Sequence, residues 1–379
     1  MKRTVKRVLI LAFATALGFG AWQAATEFDL WTDPERIFAD LPNNRWKKIH
    51  TARFLRWTRQ GHGSAVIDPG RDKLYVFGSD THNHDWDNSV HEFDLATLRW
   101  TTHYPPAAKS SYRADGLGRA IAGEGALLPW AMHVFDNLVY DPRLDALILT
   151  ARPDHNYEAH RIAPQARIHP TWIYHLASRT WSILPNDGEP YPSNFAGATA
   201  YDSLRDTIVL YKHGIYELGP ERKRWRLATR ESHHTIHYNL EYDRIHHVFA
   251  VFGGKTDSVW LYRPDLLPGR PGRWERRDPT GDPCPADEAF PVAFSPHLGQ
   301  FLLLPRDPRR QGRVACLYDV ATNRYRRLPS ADLPIADTMN YMMTYDPVRR
   351  VFLLITGDWR RPLTVWALRL VPDPERTSG

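Results

Sequence analysis

The sequence predicts an all-β fold, a six-bladed β-propeller with four-stranded blades, and three observations support this prediction. A strand–turn–strand phrase recurs six times between Ala65 and Ile355. A second phrase follows, in which a Trp or Tyr opens a further strand. The chain also contains 30 Pro, 23 Gly, 14 Trp and 17 Tyr, a composition that favours strands and turns over helices.

The first phrase is an apolar run that ends in a polar residue, a short polar turn, and a second apolar run. Asp-Pro and Arg-Asp segments such as Pro69 and Arg71–Asp72 make the turn, and β-branched and aromatic residues make the strands. The polar residue is an Asp in five copies and a Ser in one: Asp68, Asp141, Asp202, Asp243, Ser295 and Asp346. Asp68 and Asp346 are 278 residues apart, so the period averages about 56 residues.

The second phrase supplies the other two strands of each blade, as in Phe93–Trp100 and Ile173–Trp181. The sixth copy lacks its last strand, because only a polar tail follows Leu370. A matching Trp-led segment, Asn44–Ile49, stands near the other end of the chain. We therefore expect this N-terminal strand to complete the last blade, which closes the ring and removes exposed strand edges.

This repeat resembles the kelch-type β-propeller, which is related to the central domain of galactose oxidase. The resemblance covers about residues 44–371 and rests on the period, the four strands per blade and the recurring Trp. The kelch Gly-Gly doublet occurs once, as Gly253-Gly254. The copper chemistry of galactose oxidase does not carry over, because neither Cys has the neighbours that the Cys–Tyr cross-link needs.

The resemblance implies that the loops between second and third strands share one face with the segments leading into the first strands. Nine of the chain's 18 His then fall on that face. We predict ligand binding by a set of residues in these loops: His82, His84, Asp85, His155, Asn156, His160, Lys255, Arg306 and Arg360. Candidate catalytic residues are His62, His133, His233 and His234.

Histidine is the commonest metal ligand and is also suited to proton transfer near neutral pH. The metal-ligand candidates are His82, His84, His155 and His160, and a divalent transition metal is the expected cofactor if one is bound. His82 and His84 are spaced to share one side of an extended strand. The alternative use of such a face is recognition of sugar hydroxyls and carboxylates.

The N-terminus predicts export. Lys2, Arg3, Lys6 and Arg7 precede an uncharged run from Val8 to Thr26, which is the pattern of a signal peptide or a membrane anchor. We therefore divide the chain into a signal or anchor (1–25), a linker (26–43), the propeller (44–371) and a polar tail (372–379). The four cations also supply most of the net charge of +6, so nucleic acid is not an expected partner.

The two cysteines, Cys284 and Cys316, fall in the same predicted blade. An exported protein meets an oxidising environment, where a disulfide between the loop entering blade 5 and its third strand can form. The alternative is a pair of free thiols.

Three functional interpretations stay open at this point. The first is a monomeric binding or scaffold module of the cell envelope that recognises a glycan or a protein through the His-rich face. The second is a carbohydrate-active enzyme, of the epimerase, lyase or hydrolase kind, that uses His as acid and base. Kelch-type sialic acid epimerases offer a precedent for the second by analogy of fold. The third is a metal-dependent enzyme or a metal carrier.

Overall fold

The computed structural model describes residues 33–52, 62–83, 86–185, 195–266, 270–307, 312–333, 339–357 and 361–371. These residues form an all-β six-bladed propeller with four antiparallel strands per blade, which confirms the predicted fold class. Two short α-helices are present, α1 (Pro34–Ala39) and α2 (Tyr157–Ile162). Neither these nor any other helix in the described ranges is long and apolar enough to cross a membrane.

The strands are numbered in chain order, beginning with β1 (Lys47–Thr51). Blade 1 consists of β2 (Ser64–Asp68), β3 (Lys73–Phe77), β4 (His91–Asp94) and β5 (Arg99–Thr102). A small hairpin, β6 (Arg113–Ala114) and β7 (Ala120–Ile121), precedes blade 2. Blade 2 consists of β8 (Leu138–Asp141), β9 (Ala146–Leu149), β10 (Trp172–His175) and β11 (Thr180–Ile183). Blade 3 consists of β12 (Ala198–Asp202), β13 (Thr207–Tyr211), β14 (Ile215–Leu218) and β15 (Trp225–Thr229).

The remaining three blades follow the same order with two additions. Blade 4 consists of β16 (Tyr238–Asp243), β17 (Val248–Gly253), β18 (Val259–Arg263) and β19 (Arg273–Arg277). Blade 5 consists of β21 (Val292–Ser295), β22 (Gln300–Leu303), β23 (Cys316–Asp319) and β24 (Arg324–Arg327), with β20 (Thr280–Gly281) added in parallel to β24. Blade 6 consists of β25 (Met343–Asp346), β26 (Val351–Thr356), β27 (Thr364–Leu368) and, as its fourth strand, β1. Short 3₁₀ turns lie at Thr81–Asn83, Lys109–Ser111 and Pro329–Ala331.

Strand β1 pairs antiparallel with β27, from Lys47 opposite Ala367 to Thr51 opposite Thr364. Helix α1 lies in the segment interpreted as a linker. Its Phe38 is 5% exposed and packs in the core between blades 6 and 1.

The first strands of the six blades contact one another in a closed ring around a central channel. Because the strands of a blade are antiparallel, the start of each first strand and the loop between strands two and three lie at the same edge. We call this side of the ring the loop-side face. The turns between strands one and two, and between strands three and four, form the opposite side, which we call the turn-side face.

The hydrophobic core is divided among the interfaces between blades. Each of six clusters of buried side chains lies between two neighbouring blades, as with Leu74 of blade 1 and Leu353 of blade 6. A seventh cluster, which contains Phe135, Ala196, Ala289 and Tyr341, lies near the loop-side mouth of the channel. It therefore forms an apolar floor beneath the loops of that face.

The recurring Asp residues shape the turns of the turn-side face. Asp68 is 2% exposed, and its Oδ1 accepts hydrogen bonds from the N–H groups of Gly70 (2.9 Å) and Arg71 (3.2 Å). The equivalent carboxylates of blades 2, 3, 4 and 6 accept the same two backbone bonds. Four residues after each of the six positions the backbone is left-handed, with φ between 49° and 67°: Asp72, Asp145, Asp206, His247, Gly299 and Arg350. The Asp residues therefore fix one turn geometry, as expected for Asx turns.

Ion pairs between neighbouring turns link four of the blades. Arg349 of blade 6 contacts Asp72 of blade 1, Arg71 of blade 1 contacts Asp145 of blade 2, and Arg143 of blade 2 contacts Asp206 of blade 3. The Arg349 pair crosses the seam where the last blade meets the first. Arg349 also contacts the buried carboxylate of its own blade, Asp346, at 3.0 Å.

We predict that Arg349→Met weakens the closed ring. The substitution leaves the buried carboxylate of Asp346 with fewer hydrogen bonds and removes the ion pair across the seam. The free energy of unfolding, measured in urea, should fall by about 1–3 kcal/mol. The matched control is Arg143→Met, which removes an interblade pair whose arginine side chain is 55% exposed. That control should lose less than about 1 kcal/mol, and equal losses in the two variants would contradict the prediction.

Candidate functional site

Four histidines from two neighbouring blades meet on the loop-side face. His62 immediately precedes β2 and His133 lies shortly before β8, whereas His82 and His155 follow β3 and β9. The antiparallel topology brings all four positions to the same edge of blades 1 and 2. Thr81 ties the two loops together, because its hydroxyl donates to the carbonyl oxygen of His155 at 3.0 Å.

The four imidazole rings are in mutual contact. The ring centroids of His62 and His133 are 3.8 Å apart and stacked, and that of His82 lies 4.6 Å from His133. His155 lies 4.8 Å from His82 and 5.1 Å from His133. These rings form one cluster that continues from the buried His133 to the exposed His82.

Asp80 adds a carboxylate to this cluster. Its Oδ1 lies 3.6 Å from Nδ1 of His62 and 3.8 Å from Nε2 of His133. One ligand atom from each of His62, Asp80, His82 and His133 lies within 4.8 Å of the others. We call these four residues the histidine–aspartate centre.

Several nitrogens of the centre are buried without a hydrogen bond. Among the residues that the structure describes, neither nitrogen of the 2% exposed His133 has a hydrogen-bond partner, and Nδ1 of His62 has none. Such groups normally find partners, because a buried and unsatisfied polar atom costs about 1–3 kcal/mol.

Burial also keeps these imidazoles neutral. It lowers the pKa of His62 to about 3, with a further contribution from the neighbouring His82, His237 and His155. The pKa of His133 lies far below its ordinary value for the same reasons, first burial and then the adjacent histidines. Both rings therefore present lone pairs at neutral pH, which is the form that binds metal ions.

An apolar floor and a polar rim surround the centre. The ring of Phe135, 1% exposed, lies 5.4 Å from His62 and 5.6 Å from His133. At the rim, the hydroxyl of Tyr157 is 2.9 Å from Nδ1 of His155, and the Tyr157 side chain is 65% exposed. A ligand that approaches from the loop-side face thus meets an exposed aromatic ring beside the centre.

Two of the predicted binding residues have structural contacts in and around α2. Asn156 is the N-cap of this helix, with Oδ1 accepting from the Ala159 N–H at 3.1 Å and Nδ2 donating to the Ala131 carbonyl at 2.9 Å. His160 Nε2 is 3.0 Å from the Pro153 carbonyl oxygen, and its ring packs against Trp130. The structure therefore does not bring Asn156 and His160 into the histidine–aspartate centre.

The candidate residues of blade 4 also lie apart from the centre. His233 is stacked on Trp260 at 3.4 Å, and its Nε2 is 3.0 Å from Glu231. His234 is buried, with Nδ1 3.3 Å from the Tyr211 hydroxyl. These two side chains pack in blades 3 and 4.

The predicted cationic ligands are paired with carboxylates. Lys255 contacts Glu288 at 2.8 Å, and the Arg306 guanidinium contacts Asp287 through two nitrogens at 2.6–3.2 Å. The remaining predicted residues, His84, Asp85 and Arg360, lie outside the described residues.

Two residues of this region were missed in the sequence. Asp80 stands two positions before His82, within the same loop. His237 lies beside Phe135 and Phe195, and its Nδ1 is 2.6 Å from Glu288. His237 has the left-handed backbone of Phe135 and Ala196 in the preceding blades, with φ values of 57°, 53° and 50°. An alignment of the segments before each first strand offered the signal for this position.

Cys284 and Cys316 form a disulfide bond. It joins the segment entering blade 5 to the first residue of β23. The bond therefore lies within blade 5 and supports its packing against blade 4.

Comparisons with known proteins assign no family. No protein-family description and no curated protein matches the chain. Among solved structures, it is similar to a structural genomics protein of unknown function from Bacteroides thetaiotaomicron VPI-5482. The identity is 12% and the TM-score 0.45, over 87% of this chain and 73% of that chain. A likeness of this size carries no functional argument, so the kelch-type resemblance has no family match behind it.

We predict a specific pH dependence from the buried His234. Burial and the neighbouring His233 lower its pKa from 6.5 to about 4. The unfolded chain therefore takes up this proton first as the pH falls. The stability that neutral His234 contributes is complete above pH 6.5 and is lost between pH 6.5 and 4.

His234→Leu should flatten the loss of unfolding free energy over that range, by at most about 3 kcal/mol at about 1.4 kcal/mol per pH unit. Urea titrations of both proteins in EDTA, at intervals between pH 7 and 4, measure the difference. Parallel curves for the wild type and the variant would contradict the assignment.

Proposed function

We propose that the propeller binds a divalent transition metal ion on its loop-side face through His62, His82, His133 and Asp80, and that zinc is the first candidate. The observation that carries this proposal is His133, a buried and neutral imidazole with no hydrogen-bond partner among the described residues and with three further ligand atoms beside it. A cation at this point turns an unfavourable buried group into a ligand.

The donor set supports an ion of the zinc class. Neutral imidazoles with one carboxylate suit zinc and the neighbouring transition metals, whereas calcium and magnesium prefer oxygen ligands. Tetrahedral bonds of about 2.0–2.1 Å place ligand atoms about 3.4 Å apart. The Asp80 separations of 3.6 Å and 3.8 Å are close to that value, and the widest separation, 4.8 Å, closes with small side-chain rotations.

The exposure of His82 favours a reactive or ligand-binding ion over a purely structural one. Structural zinc sites are enclosed by four protein ligands, whereas catalytic sites keep a position for water or substrate. Here His82 and the adjacent His155 face the solvent side of the centre. A water molecule on the ion becomes acidic and nucleophilic near neutral pH, so metal-assisted hydrolysis is the reaction class that this arrangement serves.

Tyr157 supports a hydroxylated, carbohydrate-like ligand as the molecule that reaches the ion. Its exposed ring offers a surface for stacking next to His155. We propose that the protein acts in the cell envelope after export, as the N-terminal cations and the apolar run of residues 8–26 indicate.

We predict one zinc ion per chain in protein purified without an affinity tag. His82→Ala should lower the zinc affinity at least about tenfold without changing stability, because the side chain is exposed. His133→Gln should lower it further. Elemental mass spectrometry and calorimetric titration of EDTA-treated protein measure both effects.

The matched control for this experiment is His233→Ala, which removes a histidine of the same face that lies outside the centre. It should bind zinc like the wild type. Metal-free wild-type protein that does not take up zinc would overturn the proposed function, as would an affinity unchanged in both His82→Ala and His133→Gln.

We predict an exchangeable coordination position on the bound ion. Cobalt(II) replaces zinc in such sites, and its visible spectrum responds to changes in coordination. Azide added to the cobalt form should change that spectrum in the wild type and in Tyr157→Ala. A spectrum that azide does not alter would indicate a closed, structural site and would contradict the catalytic part of the proposal.

A further inference from the structure

The turn-side face exposes large apolar side chains at the tips of its turns. Leu204, Ile245 and Val348 occupy the same position in blades 3, 4 and 6, two residues after the capping Asp, and are 51%, 49% and 66% exposed. Leu266, 65% exposed, belongs to the turn between β18 and β19 and lines one groove together with Leu204. We call these four residues the apolar crescent, since they follow the ring from blade 3 to blade 6.

Two exposed cations accompany the apolar crescent. Arg244 precedes Ile245, and Arg350 lies two residues after Val348. Neither has an acidic partner within 4 Å among the residues that the structure describes, whereas the neighbouring Arg349 is held by Asp72 and Asp346. The turn-side face thus combines apolar tips with unneutralised arginines, which is the chemistry of surfaces that bind anionic membranes.

The N-terminal segment reaches the propeller on this same face. Helix α1 packs beside the first turn of blade 6, where the Arg349 guanidinium lies 4.7 Å from the Phe38 ring. Arg369 donates to the Phe38 carbonyl oxygen at 2.8 Å and holds the helix there.

The distance from this helix to the uncharged run is short. The run ends at Thr26, only seven residues before Asp33, and seven residues span at most about 25 Å. A membrane segment formed by residues 8–26 therefore keeps the turn-side face within about 25 Å of the bilayer.

We propose that the turn-side face rests on an anionic lipid surface, with the apolar crescent inserted at the level of the headgroups and Arg244 and Arg350 near the phosphates. The loop-side face, on the opposite side of the ring, is then directed away from the membrane, and its histidine–aspartate centre is open to the aqueous compartment. This inference is independent of whether the centre binds a metal.

A fluorescent probe of polarity at single positions tests this orientation. Because Cys284 and Cys316 are bonded to each other, an introduced cysteine is the point of attachment for the nitrobenzoxadiazole label. The full chain carries the label at Leu204→Cys or Val348→Cys, and vesicles contain phosphatidylcholine and phosphatidylglycerol. Leu117→Cys is the matched control, because Leu117 is 69% exposed and belongs to the insertion before blade 2.

The proposal expects the emission to rise severalfold and shift to the blue at positions 204 and 348 on addition of vesicles, with no change at position 117. Arg244→Gln and Arg350→Gln should each lower the equilibrium constant for docking about fivefold, which corresponds to about 1 kcal/mol per arginine. Three results would overturn it: no change at 204 and 348, a change at 117 instead, or the same shift without vesicles, which would indicate a contact between protein molecules.

Discussion

The buried carboxylate at the end of the first strand is the interaction on which the architecture depends. A carboxylate that is 0–2% exposed is tolerated only with full hydrogen bonding, and the two backbone N–H groups of the turn supply it. This requirement fixes the turn and its left-handed fourth residue, and the turn returns the second strand along the first. Since every blade obeys the same constraint, all segments leading into first strands reach one edge of the ring. The meeting of His62 and His133 is a consequence of that shared geometry.

The sequence predicts the fold much further than the site. Turns and strands are local, so the Asp positions and the aromatic strands predicted six blades. The site depends on loop conformation, which local patterns do not determine. His62, His82, His133 and His155 lie together, whereas His160 and Asn156 belong to helix α2. The N-cap pattern of Asn156 followed by Glu158 was present in the sequence, and it indicated a helix rather than a ligand. His237 was missed because its blade carries two adjacent histidines that attracted attention instead.

The histidine–aspartate centre combines a rigid support with an open side. His62 and His133 are attached to the starts of first strands and rest on the apolar cluster at the channel mouth, so their rings have little freedom. His82 and His155 lie on loops that Thr81 joins, and these loops face the solvent. A centre built in this way holds two ligands fixed while two others adapt to what binds. Such a division suits chemistry in which the coordination of an ion changes during a reaction.

The pairing of β1 with β27 has a consequence for the biosynthesis of the protein. The hydroxyls of Thr51 and Thr364 lie 3.5 Å apart across the last blade, although 313 residues separate them in the chain. A ribosome that adds about 5–20 residues per second completes the partner of β1 about 15–60 s after β1 itself. The ring therefore closes only when synthesis is almost finished. A chain that crosses a membrane unfolded and folds afterwards is well matched to this order of events.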